Sequence, residues 1–206
     1  MIKNLVFDMG GVLLKFDTDL FIERVGVKDL EDKKLLTREI YKSVEWAMMD
    51  RGTLTDEDAY EIIQKRVPDR LKGCVRKLTC EWDRPIVPIE GMSDLVKEYK
   101  EKGYKIYLLS NASVNQNNYW HNIPGSEYFD GTVVSSYIKL IKPQPEIYKH
   151  LLDKFNLEAK ETVLIDDAIQ NVESAIFCGL NGIVFHGDVN ELKEKLNIMI
   201  EEKKAL

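Results

Sequence analysis

The sequence predicts an α/β protein: a doubly wound, mainly parallel sheet with a small helical cap inserted after the first strand. Short apolar runs rich in strand-forming residues alternate with helical patterns from residue 85 onward, which is typical of a parallel sheet. Residues 18–80 instead show apolar positions at helical spacing. Polar side chains directly follow several of the apolar runs, where sheets of this class bind their ligands.

The first predicted element is a strand over residues 2–7, IKNLVF, because strand-forming apolar residues dominate there. Asp8 and then Gly10 and Gly11 follow it, and they predict a tight turn. Residues 18–80 are predicted to form a block of helices. The chain should therefore divide into two domains. The α/β core comprises residues 1–16 and 85–206, and the helical cap comprises residues 17–84.

Beyond residue 85 the alternation of strands and helices predicts βαβ units. Gly103 ends the first of these helices, as glycine commonly does at a helix C-terminus. Because the strands are apolar along their length, helices should cover both faces of the sheet. The predicted strands lie at residues 105–111, 131–136, 162–167 and 182–185, and the predicted helices at residues 91–102, 145–156 and 168–179.

Composition excludes several classes of function. The net charge of -6 argues against a nucleic-acid partner, which would require a basic surface. No apolar stretch approaches the roughly 18 residues of a membrane-spanning helix, and the N-terminal run is interrupted by Asp8, unlike a signal peptide. The three cysteines have no metal-binding spacing and fit reduced thiols. We therefore expect a cytoplasmic protein with no membrane partner and no obligate protein partner.

Polar groups from three predicted strands should meet at one edge of the sheet. Asp8 follows the first strand, Ser110 and Asn111 follow KIYLL, and Asp166 and Asp167 follow TVLI. The carboxyl ends of parallel strands lie together in this architecture. Carboxylate and carbonyl oxygens are the ligands that Mg²⁺ prefers. Each group alone is more typical of a turn or a helix cap, so the prediction depends on their combination.

Four segments resemble, in order and spacing, the motifs of the haloacid dehalogenase-like (HAD) hydrolase superfamily. They are LVFDMGGVL at residues 5–13, LLSN at residues 108–111, KPQPEIY from Lys142, and LIDD at residues 164–167 with Asn171 one helical turn on. The Asp-x-Gly first motif and KPxPxIY resemble the subgroup that contains bacterial alpha-D-glucose-1-phosphate phosphatase and, more distantly, the N-terminal phosphatase domain of soluble epoxide hydrolase. The resemblance implies a Rossmann-like core and covers nearly the whole chain.

This resemblance implies a Mg²⁺-dependent phosphatase that acts on a small phosphorylated metabolite, such as the sugar phosphate glucose 1-phosphate. Asp8 would attack phosphorus and form an aspartyl-phosphate that water hydrolyses, and Lys142 would neutralise charge on both partners. The implied metal ligands are Asp8, the carbonyl of Gly10 and Asp167. The implied phosphate contacts are the turn at Met9 and Gly10, together with Ser110, Asn111 and Lys142, with Asp166 and Asn171 in support.

The helical segment resembles the family's cap, which closes over the site and selects the substrate. Trp46 and Arg51 lie in a segment that joins two of its helices, and they are candidate substrate contacts. Both also suit ordinary roles, as a core aromatic residue and a surface cation. The histidines at positions 121, 150 and 186 have no metal-ligand spacing.

The sequence departs from the family pattern at Gly10. Most phosphatases that the chain resembles carry there a second aspartate, which protonates the leaving alcohol and then activates water. Such general acid-base catalysis is typically worth about 10²- to 10⁴-fold in rate. The sequence does not decide which group, if any, replaces it. The candidates are Asp17, Glu45, Asp50 and His121.

Two alternative functions remain open from the sequence. A 2-haloacid dehalogenase would use Asp8 to attack carbon, without a metal or a leaving-group acid. The residues beside Asp8 argue against it, because they lack the aromatic residue and the threonine of that subfamily and no arginine follows before Arg24. The second alternative is a phosphate-binding module with little turnover.

Overall fold

The computed structural model describes residues 1–81 and 86–204. Five strands form one sheet within these residues: β1 (Asn4–Phe7), β2 (Lys105–Ser110), β3 (Gly131–Val134), β4 (Thr162–Asp166) and β5 (Asn181–Val184). Their order is β3-β2-β1-β4-β5, and each neighbouring pair is parallel. This arrangement confirms the predicted doubly wound α/β fold.

The central strand β1 sets the position of the polar groups that follow the strands. All of its residues are buried, because strands flank it on both sides and helices cover both faces. Phe7 pairs with Leu108 of β2 and with Ile165 of β4. Asp8 and Asp166, each one residue further along, therefore reach the same edge of the sheet.

Within residues 1–81, five α-helices follow β1 and share a hydrophobic core of their own. They are α1 (Thr18–Arg24), α2 (Leu30–Leu36), α3 (Val44–Arg51), α4 (Asp56–Ile63) and α5 (Lys72–Cys80). A polar side chain accepts a backbone N–H at the start of each of the first four, which satisfies donors that a helix start leaves unpaired. These caps are Asp17, Asp29, Ser43 and Thr55.

The predicted division into core and cap stays a prediction. Helix α1 begins at Thr18, beside the predicted boundary between residues 16 and 17. The second predicted boundary, between residues 84 and 85, lies outside the described residues.

Six further α-helices lie in residues 86–204: α6 (Met92–Glu101), α7 (Gln116–Tyr119), α8 (Ser135–Ile138), α9 (Pro145–Phe155), α10 (Ile169–Phe177) and α11 (Val189–Lys204). Alternate residues of β1 face opposite layers. Phe7 belongs to a core shared with α6 and α11, whereas Val6 belongs to a core shared with α9 and α10. No helix in the described part of the chain is long and apolar enough to cross a lipid bilayer.

The predicted strand over residues 131–136 is wrong at its end. Strand β3 stops at Val134, and Ser135 and Ser136 begin α8. The Ser135 hydroxyl accepts a hydrogen bond from the Ala112 N–H, 3.0 Å away. Side-chain bonds of this kind compete with strand pairing, and here they turn the chain toward α3.

The C-terminus of α3 packs directly against α8. Gly52 caps α3 with a φ of 70°, and a Cβ added to it would lie 2.2 Å from the Ser136 carbonyl oxygen. Lys139 Nζ donates to the Gly52 carbonyl, and the Ser135 hydroxyl donates to the Asp50 carbonyl. Close backbone approach and two hydrogen bonds therefore hold the helical segment to the sheet-bearing part of the chain at this point.

This junction predicts that Gly52→Ala destabilises the protein more than Gly26→Ala does. Both glycines have positive φ, 70° and 89°, so both alanines incur a backbone cost of about 1–2 kcal/mol. A Cβ at Gly26 meets nothing within 4 Å, whereas one at Gly52 meets the Ser136 carbonyl. Urea unfolding measures both free energies, and equal losses would contradict the close contact.

Candidate active site

A buried lysine between two aspartates forms the centre of the site. Lys142 Nζ lies 2.9 Å from Asp8 Oδ1 and 2.6 Å from Asp166 Oδ2, and it donates to the Leu109 carbonyl at 2.8 Å. The side chains of Lys142 and Asp166 are both 0% exposed. The ends of β1, β2 and β4 thus converge on one ammonium group, as the sequence predicts for Asp8, Asp166 and Lys142.

Asp166 is held by partners on both of its oxygens. Oδ2 accepts from Lys142, while Oδ1 accepts from the Ala168 N–H and from Asn171 Nδ2, each at 2.9 Å. Asn171 lies in the first turn of α10, so the helix that follows β4 supplies this support. Asp166 is therefore suited to orienting Lys142 rather than to binding a ligand with a free oxygen.

Burial and neighbouring charges have opposite effects on the pKa values of Asp8 and Lys142. Burial raises the pKa of Asp8 to about 7, with Lys142 lowering it and the Asp166 charge adding to the rise. For Lys142, burial alone would lower the pKa, but the Asp8 and Asp166 carboxylates outweigh burial and raise it above its ordinary value. Lys142 is therefore a permanent cation at neutral pH.

Three carboxylates come together beside this lysine. Asp8, Asp166 and Asp167 each offer an oxygen, and these atoms lie within 4.8 Å of one another. Burial, followed by the Asp166 charge, raises the pKa of Asp167. Three carboxylates against one ammonium leave an excess of two negative charges when all are ionised. Because both oxygens of Asp166 already accept hydrogen bonds, Asp8 and Asp167 are the members of this cluster that fit a divalent cation with oxygen ligands, such as Mg²⁺.

The turn after β1 brings the first motif close to Asp167. Gly11 has a φ of 76°, and a Cβ there would lie 2.2 Å from Asp167 Oδ2, so a side chain would collide with the carboxylate. Met9 donates its N–H to Asp8 Oδ1 at 2.7 Å, which fixes the Asp8 rotamer. In this structure the Met9 N–H is therefore engaged by Asp8.

The two residues of the second motif have different surroundings. Asn111 Nδ2 donates to the Lys142 carbonyl at 2.9 Å, and the Lys142 N–H donates to Asn111 Oδ1 at 2.8 Å. The Asn111 side chain thus holds the backbone of Lys142 through two hydrogen bonds. The Ser110 hydroxyl is buried and has no hydrogen-bond partner among the described residues, an arrangement that a bound polar ligand would relieve.

A cavity of about 200 Å³ opens beside Asp8. Trp46, a predicted substrate contact, lines it, whereas Arg51 does not. Phe16, Met49 and Thr79 also line the cavity, and the sequence does not predict their presence there. The lining residues are Asp8, Met9, Gly10, Phe16, Trp46, Met49, Asp50, Thr79, Asn111, Ala112, Ser113 and Asp167.

Of the four candidates for the acid missing at Gly10, Asp50 lines the cavity. Asp17 is exposed and caps α1 through its Oδ1. Glu45 makes a two-pronged bond with Arg66 at 2.9 and 2.8 Å, and these hydrogen bonds hold the Glu45 pKa down at about 2. His121 is exposed and is not a lining residue. The structure therefore places Asp50 beside Asp8 and gives two of the other candidates different partners.

Known proteins with sequences similar to this chain include phosphatases. A sesquiterpene phosphatase from Aspergillus oryzae is 27% identical over 195 residues, covering 88% of this chain and 88% of that protein. A D-ribitol-5-phosphate phosphatase from Bacteroides thetaiotaomicron is 26% identical over 184 residues, covering 84% and 86%. These relatives support a phosphoric monoester hydrolase.

Solved structures and a family model agree with this assignment. A HAD family enzyme from Bacteroides thetaiotaomicron, solved with magnesium and inorganic phosphate, matches with a TM-score of 0.69 and 25% identity, covering 93% of this chain and 99% of that one. A model of the hydrolase family described as haloacid dehalogenase-like matches residues 2–179. The predicted superfamily is confirmed, while the closer subgroup stays a prediction. The chain belongs to the haloacid dehalogenase-like hydrolases.

Proposed function

We propose that the chain is a Mg²⁺-dependent phosphatase that hydrolyses a small phosphomonoester through an aspartyl-phosphate on Asp8. The observation that carries the proposal is the contact of Asp8 with the buried Lys142 ammonium, 2.9 Å away, at the wall of a cavity. A phosphoryl group resists nucleophiles because of its negative charge. Lys142 supplies fixed positive charge at the atom that must approach phosphorus.

Each residue of the site has a separate role in the first step, the formation of the aspartyl-phosphate. Asp8 Oδ attacks phosphorus while the bond from phosphorus to the leaving oxygen breaks. The Ser110 hydroxyl and the Asn111 backbone N–H hold the phosphoryl oxygens, together with the turn at Gly10. A Mg²⁺ held by Asp8, the Gly10 carbonyl and Asp167 would supply further positive charge to those oxygens. Lys142, steadied by Asp166 and through it by Asn171, keeps Asp8 in its attacking position.

The residues of the cavity wall indicate which class of substrate the site favours. A sugar phosphate such as glucose 1-phosphate stays the prediction from the sequence. Phe16, Trp46 and Met49 line the cavity beside Asp8, and apolar side chains favour a leaving group with an apolar body. A terpenoid or aryl phosphate is therefore a second substrate candidate, and the resemblance to a sesquiterpene phosphatase supports it. Arg51 stays a candidate contact for a substrate that extends beyond the cavity.

An assay on three kinds of substrate tests the function. The protein is incubated with p-nitrophenyl phosphate and with a panel of sugar and prenyl phosphates, with and without Mg²⁺, and separately with 2-chloropropionate. Metal-dependent release of phosphate supports the proposal, and the panel ranks the leaving groups. Halide release without metal would instead identify a dehalogenase, and binding of phosphate without turnover would identify a binding module.

Asp8→Asn should abolish turnover and leave the fold intact. The amide oxygen still accepts from Lys142 and Met9, but it is not a nucleophile, and loss of a catalytic nucleophile can cost about 10⁶-fold in kcat. Nitrophenol release and acid-quenched mass spectrometry measure the effect. The wild type should carry a phosphoryl group on the peptide that contains residue 8, and the variant should carry none. Substantial activity in the folded variant would refute Asp8 as nucleophile.

Mg²⁺ should raise the melting temperature, because a ligand at 100 times its Kd stabilises the folded state by about 2.7 kcal/mol. Asp167→Asn should largely remove this rise, whereas Asp153→Asn, at an exposed position on α9, should keep it. Without Mg²⁺, Asp167→Asn should be no less stable than the wild type. The pKa of Asp167 is raised in the folded state, which means that folding disfavours its ionised form, and asparagine removes that charge. An unchanged Mg²⁺ response in Asp167→Asn would exclude Asp167 as a ligand.

A further inference from the structure

Asp50 lines the cavity in which the missing acid would have to act. We propose that Asp50, from the end of α3, serves as the general acid and base of this site in place of the aspartate that the family carries at Gly10. The inference rests on the proposed phosphatase function. Its first support is position, because Asp50, Asp8 and Gly10 line the same cavity of about 200 Å³.

The second support is the way Asp50 is anchored. Its carbonyl accepts from the Ser135 hydroxyl, which also accepts from the Ala112 N–H at 3.0 Å, so one serine joins α3 to the loop after β2. Two residues later, Gly52 lies against α8 too closely for any side chain. A catalytic group must be held within a fraction of an ångström, and here the backbone of Asp50 is fixed to the part of the chain that carries Asp8.

The third support is that the other carboxylates of the cavity have different tasks. Among the described lining residues the acidic side chains are Asp8, Asp50 and Asp167. Asp8 contacts Lys142 and is the proposed nucleophile, and Asp167 is the proposed metal ligand. Asp50 is the carboxyl group that remains for the leaving oxygen.

The surroundings of Asp50 suit proton transfer. Burial, followed by the charges of Asp8 and Asp56, raises the pKa of Asp50 to about 7, while Lys142 lowers it. Asp56, at the start of α4, is held by the Ser113 hydroxyl at 3.2 Å. An acid-base group works best when its pKa is near the working pH, because both of its forms are then populated.

The proposed steps balance as follows. As Asp8 Oδ bonds to phosphorus and the ester P–O bond breaks, the leaving oxygen takes the proton of the Asp50 carboxyl and departs as an alcohol. The Asp50 carboxylate then takes a proton from water as that water attacks the aspartyl-phosphate. The bond from phosphorus to Asp8 breaks, phosphate leaves, and both Asp8 and the protonated Asp50 are restored.

The test compares two leaving groups in Asp50→Asn. Nitrophenolate departs without a proton, whereas the alkoxide of an alkyl phosphate does not. We expect kcat/KM for the best alkyl phosphate of the panel to fall by about 10²- to 10⁴-fold, with a much smaller fall for p-nitrophenyl phosphate. With the aryl ester, the variant should release a burst of nitrophenol equal to the enzyme present and accumulate phosphoenzyme, because the second step lacks its base.

Controls separate this role from a structural one. Asp17→Asn is the matched control, because asparagine caps a helix as well as aspartate does. This variant should have the same kcat/KM as the wild type on both esters. Gly10→Asp in the Asp50→Asn background should restore activity on the alkyl ester, since the nearest atoms that a Cβ at Gly10 would meet belong to Phe16, at an ordinary 3.6 Å. If Asp50→Asn fails to fold, Asp50→Ala is measured in the same way.

Equal losses of kcat/KM on both esters, or no loss of kcat/KM on either, would overturn the role of Asp50 if the wild type is active. Inactivity of the wild type on every phosphate ester would instead refute the phosphatase function itself. The two failures are therefore distinguishable.

Discussion

The site depends on one buried ion cluster, in which the Lys142 ammonium lies between Asp8 and Asp166. Removing ionised groups from water is costly, and apolar residues of similar size often replace such clusters without loss of stability. Stability therefore does not explain why the chain keeps three charges buried at the carboxyl edge of its sheet. The proposed chemistry does, because the cluster holds the Asp8 carboxylate at a cavity wall beside a buried ammonium group.

The parallel sheet makes this cluster possible. The register of β1 with β2 and β4 delivers Asp8 and Asp166 to neighbouring positions, and the Asn111 side chain grips the Lys142 backbone through two hydrogen bonds. Strand register thus fixes the two aspartates, and two side-chain hydrogen bonds from Asn111 fix the turn that carries Lys142. The excess of negative charge, extended by Asp167, then leaves the site suited to a divalent cation, and the phosphoryl chemistry proposed for it follows from the same charge arrangement.

Sequence reasoning predicted the sheet and its polar edge because both depend on local patterns. Apolar runs locate the strands, and residues that directly follow a strand must lie at its carboxyl end, which is why Asp8 and Asp166 were identified. The lysine-rich tail predicts only the end of a C-terminal helix, whereas α11 begins at Val189 and buries Leu192, Leu196 and Ile200 at helical spacing. It could not choose Asp50, because that choice depends on how α3 packs against α8, a contact between segments far apart in the chain.

The position of Asp50 explains how the site could work with a glycine at position 10 instead of an acid. In the usual family pattern the nucleophile and the acid share one turn, so both are present whether or not the cap is closed. On the proposed assignment, the sheet supplies the nucleophile and the helical segment supplies the acid through a junction that Ser135 and Gly52 hold together. Protonation of the leaving group would then require α3 to lie at the cavity, where it also contributes Trp46 and Met49 to the wall. The contact between α3 and α8 that positions the proposed acid therefore also holds Trp46 and Met49 at the cavity wall.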